Sequence, residues 1–193
     1  MGRVQLAVAA IGTSIALAGC GAQTQSASQP PPPQPTTTAA AGSSGPASSV
    51  LAPPAPVAVP EQLKFKSKTV DGKDFSGESL AGKPAVLWFW APWCPKCRGE
   101  ASGVAETVES VGTTVTFVGV AARDEVPNMR KFVEQYHLGG FAHLADTDLA
   151  VWKRFGVVEQ PAYAFISKDG KVDVVTARVS KDELLRHVRA LAG

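Results

Sequence analysis

The chain has 193 residues and a formal net charge of +2, with an uneven distribution of charge. Of the 19 lysines and arginines only Arg3 precedes residue 61, and all 17 acidic residues lie at or after Glu61. This small, mixed charge excludes the basic surface that nucleic-acid binding requires. No apolar run reaches the ~18–20 residues of a membrane span. We therefore expect one folded domain, over residues 61–193.

The N-terminal segment has the features of an export signal. Residues 4–18 are mostly apolar and end in small residues, which is typical of a signal-peptide core. The sequence Leu17-Ala18-Gly19-Cys20 follows directly and resembles the lipobox of bacterial lipoproteins. That resemblance implies a signal peptide over residues 1–19 and lipidation of Cys20, which would anchor the chain to the outer face of the cytoplasmic membrane. The alternative is an ordinary secretory signal that ends in cysteine.

Residues 20–60 are predicted to form a linker. They contain a run of four prolines and a run of three threonines, and they have neither aromatic nor charged residues before Glu61. Such a segment buries too little apolar surface to offset the entropy of ordering. We therefore predict a disordered, partly polyproline-like tether that spans about 35 Å as a coil and about 120 Å when fully extended.

The first part of the domain is predicted to form β-strands. Residues 62–70 alternate between apolar and charged side chains, as in a half-buried strand. Asp71-Gly72 signals a turn, after which residues 73–75 return as a hairpin partner. A loop over residues 76–84 leads to the continuous apolar run 85–91, which is typical of a central strand covered on both faces.

The rest of the domain alternates between helices and strands. Proline suits the first turn of a helix, so a helix is predicted from Pro95 to about Ser110. The further predictions are a strand over 115–121, helices over 126–138 and 148–155, a hairpin of 162–167 with 171–177, and a final helix opened by the capping box at 180–183. This order predicts an α/β fold with a mixed central sheet flanked by helices.

The chemical centre is the sequence Cys94-Pro95-Lys96-Cys97. Two cysteines with this spacing, directly after a buried strand and at the start of a helix, indicate a redox pair. The amide groups of the first helical turn and the helix dipole favour the thiolate of Cys94, and Lys96 adds a cation. Cys97 lies one turn further in and should be more buried. Cys94 is therefore predicted to be the exchanging sulfur, and Cys97 to close the internal disulfide.

The stretch from Val86 to Cys97 resembles the strand-to-active-site signature of the thioredoxin superfamily, and the resemblance covers about residues 61–193. It implies the thioredoxin fold and a cis bond before Pro161. It also implies that the Gln160 backbone pairs with the substrate. Trp93 is expected either to shape the substrate surface or to cover the edge of the core. The N-terminal hairpin and a helical insertion between Ala121 and Pro161 resemble the extracytoplasmic TlpA/ResA-like subgroup. Together with the lipobox and linker, they resemble most the mycobacterial lipoprotein disulfide oxidoreductases of DsbF/DsbE type.

The chain departs from the superfamily pattern where acids are expected. Trp88 occupies the position of the buried aspartate of cytoplasmic thioredoxins, and Pro95 and Lys96 occupy the positions where ResA-type reductases carry a glutamate. Glu159 could replace the missing acid, and Glu100 could pair with Lys96 and weaken its effect. With fewer acidic groups and one cation near the cysteines, the Cys94 thiolate is stabilised. The reduced form is therefore more stable, which makes the disulfide more oxidising.

The resemblance therefore implies a disulfide oxidase. It would donate the Cys94–Cys97 disulfide to exported proteins through a mixed disulfide at Cys94, without a cofactor, and be reoxidised by a DsbB- or VKOR-like membrane protein. The alternatives are a reductase of exported or apocytochrome c thiols, recharged by a DsbD/CcdA-like protein, and a metallochaperone of the same fold.

A metal site is not expected at the two cysteines. Half a zinc site would need two further ligands, whereas Cys20 is remote in sequence and the three histidines (His137, His143 and His187) have no paired spacing. Three tryptophans, Trp88, Trp90 and Trp152, are predicted to belong to the core.

Overall fold

The computed structural model describes residues 58–193, so the predicted signal peptide, Cys20 and nearly all of the linker lie outside the described residues. Within these residues the chain forms seven strands and four α-helices, with two short 3-10 turns at Glu61–Leu63, before the first strand, and at Gly77–Leu80, after the second. The strands are β1 (Lys66–Lys68), β2 (Asp74–Ser76), β3 (Ala85–Trp90), β4 (Thr116–Ala121), β5 (Ala142–Ala145), β6 (Ala162–Ile166) and β7 (Val172–Val175). The helices are α1 (Pro95–Val111), α2 (Val126–Gln135), α3 (Ala150–Arg154) and α4 (Lys181–Ala192).

The central sheet has five strands in the order β5-β4-β3-β6-β7. Strands β3, β4 and β5 are mutually parallel, whereas β6 runs antiparallel to β3 and β7 antiparallel to β6. Strands β1 and β2 form a separate antiparallel hairpin. The predicted α/β class, the mixed sheet and the N-terminal hairpin are thus confirmed.

Strand β3 lies at the centre of the sheet, and all six of its side chains are buried. Trp88 and Trp90 pack on one face against α1 and Phe132 of α2, while Phe89 packs on the other face against Trp152. The two cores explain why this stretch is continuously apolar rather than alternating. The predicted core positions of the three tryptophans are confirmed.

Two predicted elements differ from the structure. The strand expected over residues 62–70 is reduced to β1, because residues 61–63 form a 3-10 turn in which the Lys64 amide donates to the Glu61 carbonyl. The insertion between Ala121 and Pro161 is not wholly helical, since it contains the edge strand β5. Strand β5 has only four residues and one of them is a histidine, so its apolar signal in the sequence is weak.

His143 of β5 is buried against the sheet, and its Nε2 lies 3.0 Å from the Leu138 carbonyl oxygen. Burial lowers the pKa of this imidazole to about 4. The neighbouring position in β4 is Gly119, where a Cβ atom would overlap the His143 ring. The close approach of the ring therefore requires glycine there, and the histidine is a neutral core residue at pH 7.

The final helix begins as predicted. Ser180 accepts a hydrogen bond from the Glu183 amide while the Glu183 carboxylate accepts one from the Ser180 amide, which completes the capping box. Leu184 and Val188 of α4 join the core on the α1 side of the sheet. In the part of the chain that the structure covers, none of the helices is both long and apolar enough to cross a membrane.

Candidate active site

The sheet brings the predicted site residues to one edge. Strands β3 and β4 end side by side, with Trp90 opposite Ala121, and the chain continues from them to Cys94 and to Arg123. Because β6 runs antiparallel and Phe89 pairs with Ala162, Pro161 lies across from the end of β3. Segments that are far apart in sequence therefore meet beside the two cysteines.

Cys94 is the N-cap residue of α1, and its sulfur accepts a hydrogen bond from the Cys97 amide at 3.1 Å. The two cysteines form a disulfide with their Cα atoms 5.3 Å apart. Pro95 takes the first helical position, and the first turn of α1 holds no acidic side chain. The Cys94 sulfur thus faces the positive end of a helix dipole that no anion of the first turn offsets.

The two cysteine residues differ little in burial. Cys94 is 3 % exposed and Cys97 is fully buried, so the expected asymmetry is present but small. The residues next to Cys94 in the sequence, Trp93, Pro95 and Lys96, are exposed. Cys94 therefore lies just below the protein surface, where a substrate can approach it. Trp93 is 48 % exposed, and its indole Nε1 donates to the Arg123 carbonyl at 3.0 Å. The surface next to Cys94 is therefore aromatic on one side and cationic on the other.

The bond between Gln160 and Pro161 is cis, as expected from the resemblance. Pro161 is buried, and the side-chain oxygen of Gln160 is buried without a hydrogen-bond partner among residues 58–193. Glu159 is exposed, so it does not supply a buried acid.

The buried acid of this site is Glu100, which the sequence analysis did not identify. Glu100 is 5 % exposed and follows Cys97 by one turn on the buried face of α1. Its carboxylate accepts hydrogen bonds from the Tyr163 hydroxyl at 3.0 Å and from the Val179 amide at 2.8 Å. Burial raises the pKa of Glu100, although these two donors, the Trp88 indole and the positive charge of Arg178 partly oppose the shift. Burial also raises the pKa of the Tyr163 hydroxyl.

The expected pairing of Glu100 with Lys96 is therefore wrong, because the carboxyl group points into the protein, where Tyr163 and Val179 hold it. The pattern of α1 contained a signal that could have revealed this. Cys97, Glu100, Ala101 and Val104 share one helical stripe, which places Glu100 on the face that the cysteine and the apolar residues bury. The site has a buried acid after all, on the helix rather than on the strand.

No group of three or more histidine, cysteine or acidic side chains within residues 58–193 is arranged to hold a metal ion. His143 lies in the core, and His187 stacks on Phe165 of β6. Cys20, the third cysteine, lies outside the described residues. The Cys94–Cys97 disulfide at the start of α1 is a group that can undergo thiol–disulfide exchange, with an acid one turn away.

Comparison with known proteins also indicates thiol–disulfide exchange. Residues 59–175 match the AhpC/TSA family. The soluble secreted antigen MPT53 of Mycobacterium tuberculosis is 46 % identical over 141 residues, which cover 72 % of this chain and 80 % of MPT53. The structure of the DsbF of M. tuberculosis (MTB) is 60 % identical, covers 69 % of this chain and 99 % of its own, and has a TM-score of 0.68.

A secreted M. tuberculosis disulfide oxidoreductase that is homologous to E. coli DsbE is 46 % identical, covers 68 % of this chain and 98 % of its own, and has a TM-score of 0.65. The fold and these relatives define a thiol–disulfide oxidoreductase with the thioredoxin fold. The chain belongs to the AhpC/TSA family, among its thioredoxin-like members of DsbE and ResA type.

Proposed function

We propose that this oxidoreductase donates the Cys94–Cys97 disulfide to exported proteins. The observation that carries the proposal is the position of the Cys94 sulfur at the start of α1, where the Cys97 amide donates to it and where the first turn has Lys96 but no acid. These groups stabilise a Cys94 thiolate. Because that thiolate is present only in the reduced protein, its stabilisation makes the disulfide more oxidising.

The reaction proceeds in two exchanges. A substrate thiolate attacks the Cys94 sulfur, the Cys94–Cys97 bond breaks and Cys97 leaves, which forms a mixed disulfide at Cys94. A second substrate thiolate then attacks the substrate sulfur of that mixed disulfide and expels Cys94 as a thiolate, a step that a stable thiolate accelerates. The substrate loses two electrons to the cysteine pair. A quinone-linked membrane protein of DsbB or VKOR type would remove them to regenerate the disulfide.

The buried acid Glu100 does not decide the direction of electron flow. A carboxyl one helical turn from Cys97 could protonate the departing thiolate in one direction and deprotonate the thiol in the other. Donation by this chain is therefore favoured by the environment of Cys94, rather than by a lack of acids at the site. Reduction of disulfides in exported proteins or in apocytochrome c, with a DsbD/CcdA-like electron donor, is the competing direction.

The redox potential distinguishes the two directions. We expect the purified protein, equilibrated with glutathione, to show a potential of about −120 to −180 mV, whereas a value near −270 mV, as in thioredoxin, would contradict donation.

Lys96→Glu should make the potential about 10–30 mV more reducing, because it places a negative charge beside the Cys94 thiolate. Lys168→Glu, the same charge change in the exposed turn between β6 and β7, is the matched control. Equal shifts in both variants would refute a local effect of Lys96.

We further propose that the protein acts outside the cytoplasm from a lipid anchor at Cys20, on a tether formed by residues 21–60. The order of Leu17, two small residues and Cys20 at the end of an apolar run supports the anchor, and the relative MPT53 is itself a secreted protein. We expect the mature protein in the membrane fraction, and Cys20→Ala should move it to the soluble fraction. Cys97→Ala, which also removes one cysteine, should stay membrane-bound. Membrane recovery that Cys20→Ala leaves unchanged would rule out this anchor.

A further inference from the structure

Arg123 contacts three segments that are separate in sequence. It lies two residues after the end of β4, at the same edge of the sheet as the cysteines. Its backbone carbonyl accepts the hydrogen bond from the Trp93 indole at 3.0 Å, and its guanidinium donates to the Val158 carbonyl. The guanidinium also lies over the buried Trp152 ring, 5.2 Å from its centroid. Arg123 therefore joins the segment that carries Cys94 to the segment that leads into Pro161.

The backbone of Arg123 makes this double contact possible. Its φ of 60° lies in the left-handed region, which residues with a Cβ rarely adopt. An arginine keeps this strained backbone conformation only where contacts with the surrounding structure stabilise it. The carbonyl contacts the Trp93 side and the guanidinium the Val158 side, so both sides of the site depend on one residue.

Arg123 bonds to the two residues that carry exposed large hydrophobic side chains within residues 58–193. It accepts from the Trp93 indole and donates to the backbone carbonyl of Val158. Trp93 is 48 % exposed and Val158 is 73 % exposed, whereas the other large apolar side chains are at least partly covered. Trp93 precedes Cys94 directly, and Val158 lies three residues before Pro161. We call Trp93 together with residues 158–161 the substrate rim. Exposed apolar groups beside a reactive centre are typical of a surface that binds another chain.

We propose that Arg123 is a positioning residue that fixes the substrate rim, and that the rim binds an apolar side chain next to the reacting cysteine of an unfolded polypeptide. The proposal deepens the function proposed above, because it takes residues 158–161 as substrate-binding. It does not depend on the direction of electron flow. The rim selects polypeptides over small thiols, since a small dithiol reaches Cys94 without contacting Trp93 or Val158.

The test compares a polypeptide substrate with a small dithiol. Two synthetic peptides, each with two cysteines and differing only in leucine or serine next to the first cysteine, are assayed beside dithiothreitol. In Arg123→Gly, which suits the positive φ but lacks the guanidinium, kcat/KM for the leucine peptide should fall about tenfold, the loss of about one charge-assisted hydrogen bond. The rate with dithiothreitol and the equilibrium constant with glutathione, from which the redox potential is obtained, should each change less than twofold. Arg123→Lys should recover part of the loss.

Arg154→Ala provides the matched control, because the Arg154 guanidinium also donates to a backbone carbonyl, that of Glu61, away from the rim. It should leave the ratio of peptide rate to dithiothreitol rate unchanged. Iodide quenching of fluorescence is measured in a Trp152→Phe background, because the Arg123 guanidinium covers Trp152. In that background it reports the rim, since Trp93 is exposed and Trp88 and Trp90 are buried. Quenching should increase in Arg123→Gly at unchanged circular dichroism.

Two results would overturn the proposal. The first is an unchanged ratio of peptide rate to dithiothreitol rate in Arg123→Gly, and the second is a preference for the leucine peptide that survives in that variant. A thioredoxin-like redox potential would refute donation of the disulfide but would leave the peptide preference standing. Failure of the function proposed above and failure of the rim are therefore separate outcomes.

Discussion

Replacement of Cys94 by serine is expected to reduce dithiol oxidation on the order of 10³-fold or more, as the loss of an attacked or attacking atom does in other enzymes. The variant can form neither the Cys94–Cys97 disulfide nor the mixed disulfide at Cys94. The fold should persist, because serine can cap α1 through the same Cys97 amide that now donates to the sulfur. Circular dichroism checks the fold, and oxidation of a two-cysteine peptide checks the activity.

The partner variant Cys97→Ser should trap the reaction instead. Its Cys94 thiolate attacks a substrate disulfide and releases one substrate thiolate, but the serine at position 97 cannot resolve the mixed disulfide. A covalent adduct should therefore accumulate on non-reducing gels and disappear on reduction. The double variant that lacks both cysteines should form no adduct. An adduct with Cys94→Ser, and none with Cys97→Ser, would reverse the roles assigned here.

The centre of the fold could be predicted because its signals are local. The buried run of β3, the helix start at Pro95 and the capping box at Ser180 each depend on residues within a few positions of one another. The motif Cys94-Pro95-Lys96-Cys97 is also a local signal, because its position between a strand and the start of a helix is enough to place both cysteines.

The remaining features depend on contacts between distant segments. Strand β5 is set by its pairing with β4, and its four residues carry little signal of their own. Arg123 acquires its position through Trp93 and Val158, which lie 30 and 35 residues away. The helical stripe of α1 places Glu100 on the buried face. The groups that satisfy its carboxylate there, Tyr163 and Val179, lie 63 and 79 residues away and could not be predicted from the local sequence.

Glu100 should control the proton of Cys97. When Cys97 leaves the disulfide, it becomes a thiolate in the core, where an unpaired charge is costly. The carboxyl group one turn along α1 can supply a proton at that moment, and burial, which raises its pKa, favours the protonated form that this requires. Positioned proton transfer of this kind contributes about 10²–10⁴-fold to a rate. We therefore expect Glu100→Gln to slow the exchange about 10²-fold.

The glutamine variant is chosen because it preserves the contacts. Its amide oxygen can accept from the Val179 amide, and its NH₂ group can donate to the Tyr163 hydroxyl, so the fold should survive. Glu106→Gln is the matched control, since Glu106 lies on the same helix but is exposed and pairs with Lys181. Rates are measured by stopped-flow tryptophan fluorescence across pH 4–9. The control should retain the wild-type rate and its pH profile, whereas Glu100→Gln should lose the inflection that Glu100 causes.

The stability of the two proteins should also diverge with pH. The pKa of Glu100 is raised above 4.5 in the folded protein, so the folded state holds this proton more tightly than the unfolded state. The free energy of unfolding of the wild type therefore falls as the pH rises from about 4.5 through the folded pKa, and Glu100→Gln lacks this loss. Denaturant unfolding of the reduced proteins at pH 4 and pH 8 should show the variant gaining stability relative to the wild type at pH 8. If the difference in free energy of unfolding between the two proteins is the same at pH 4 and pH 8, and if the exchange rate of Glu100→Gln is within twofold of the wild type, Glu100 does not exchange a proton with Cys97.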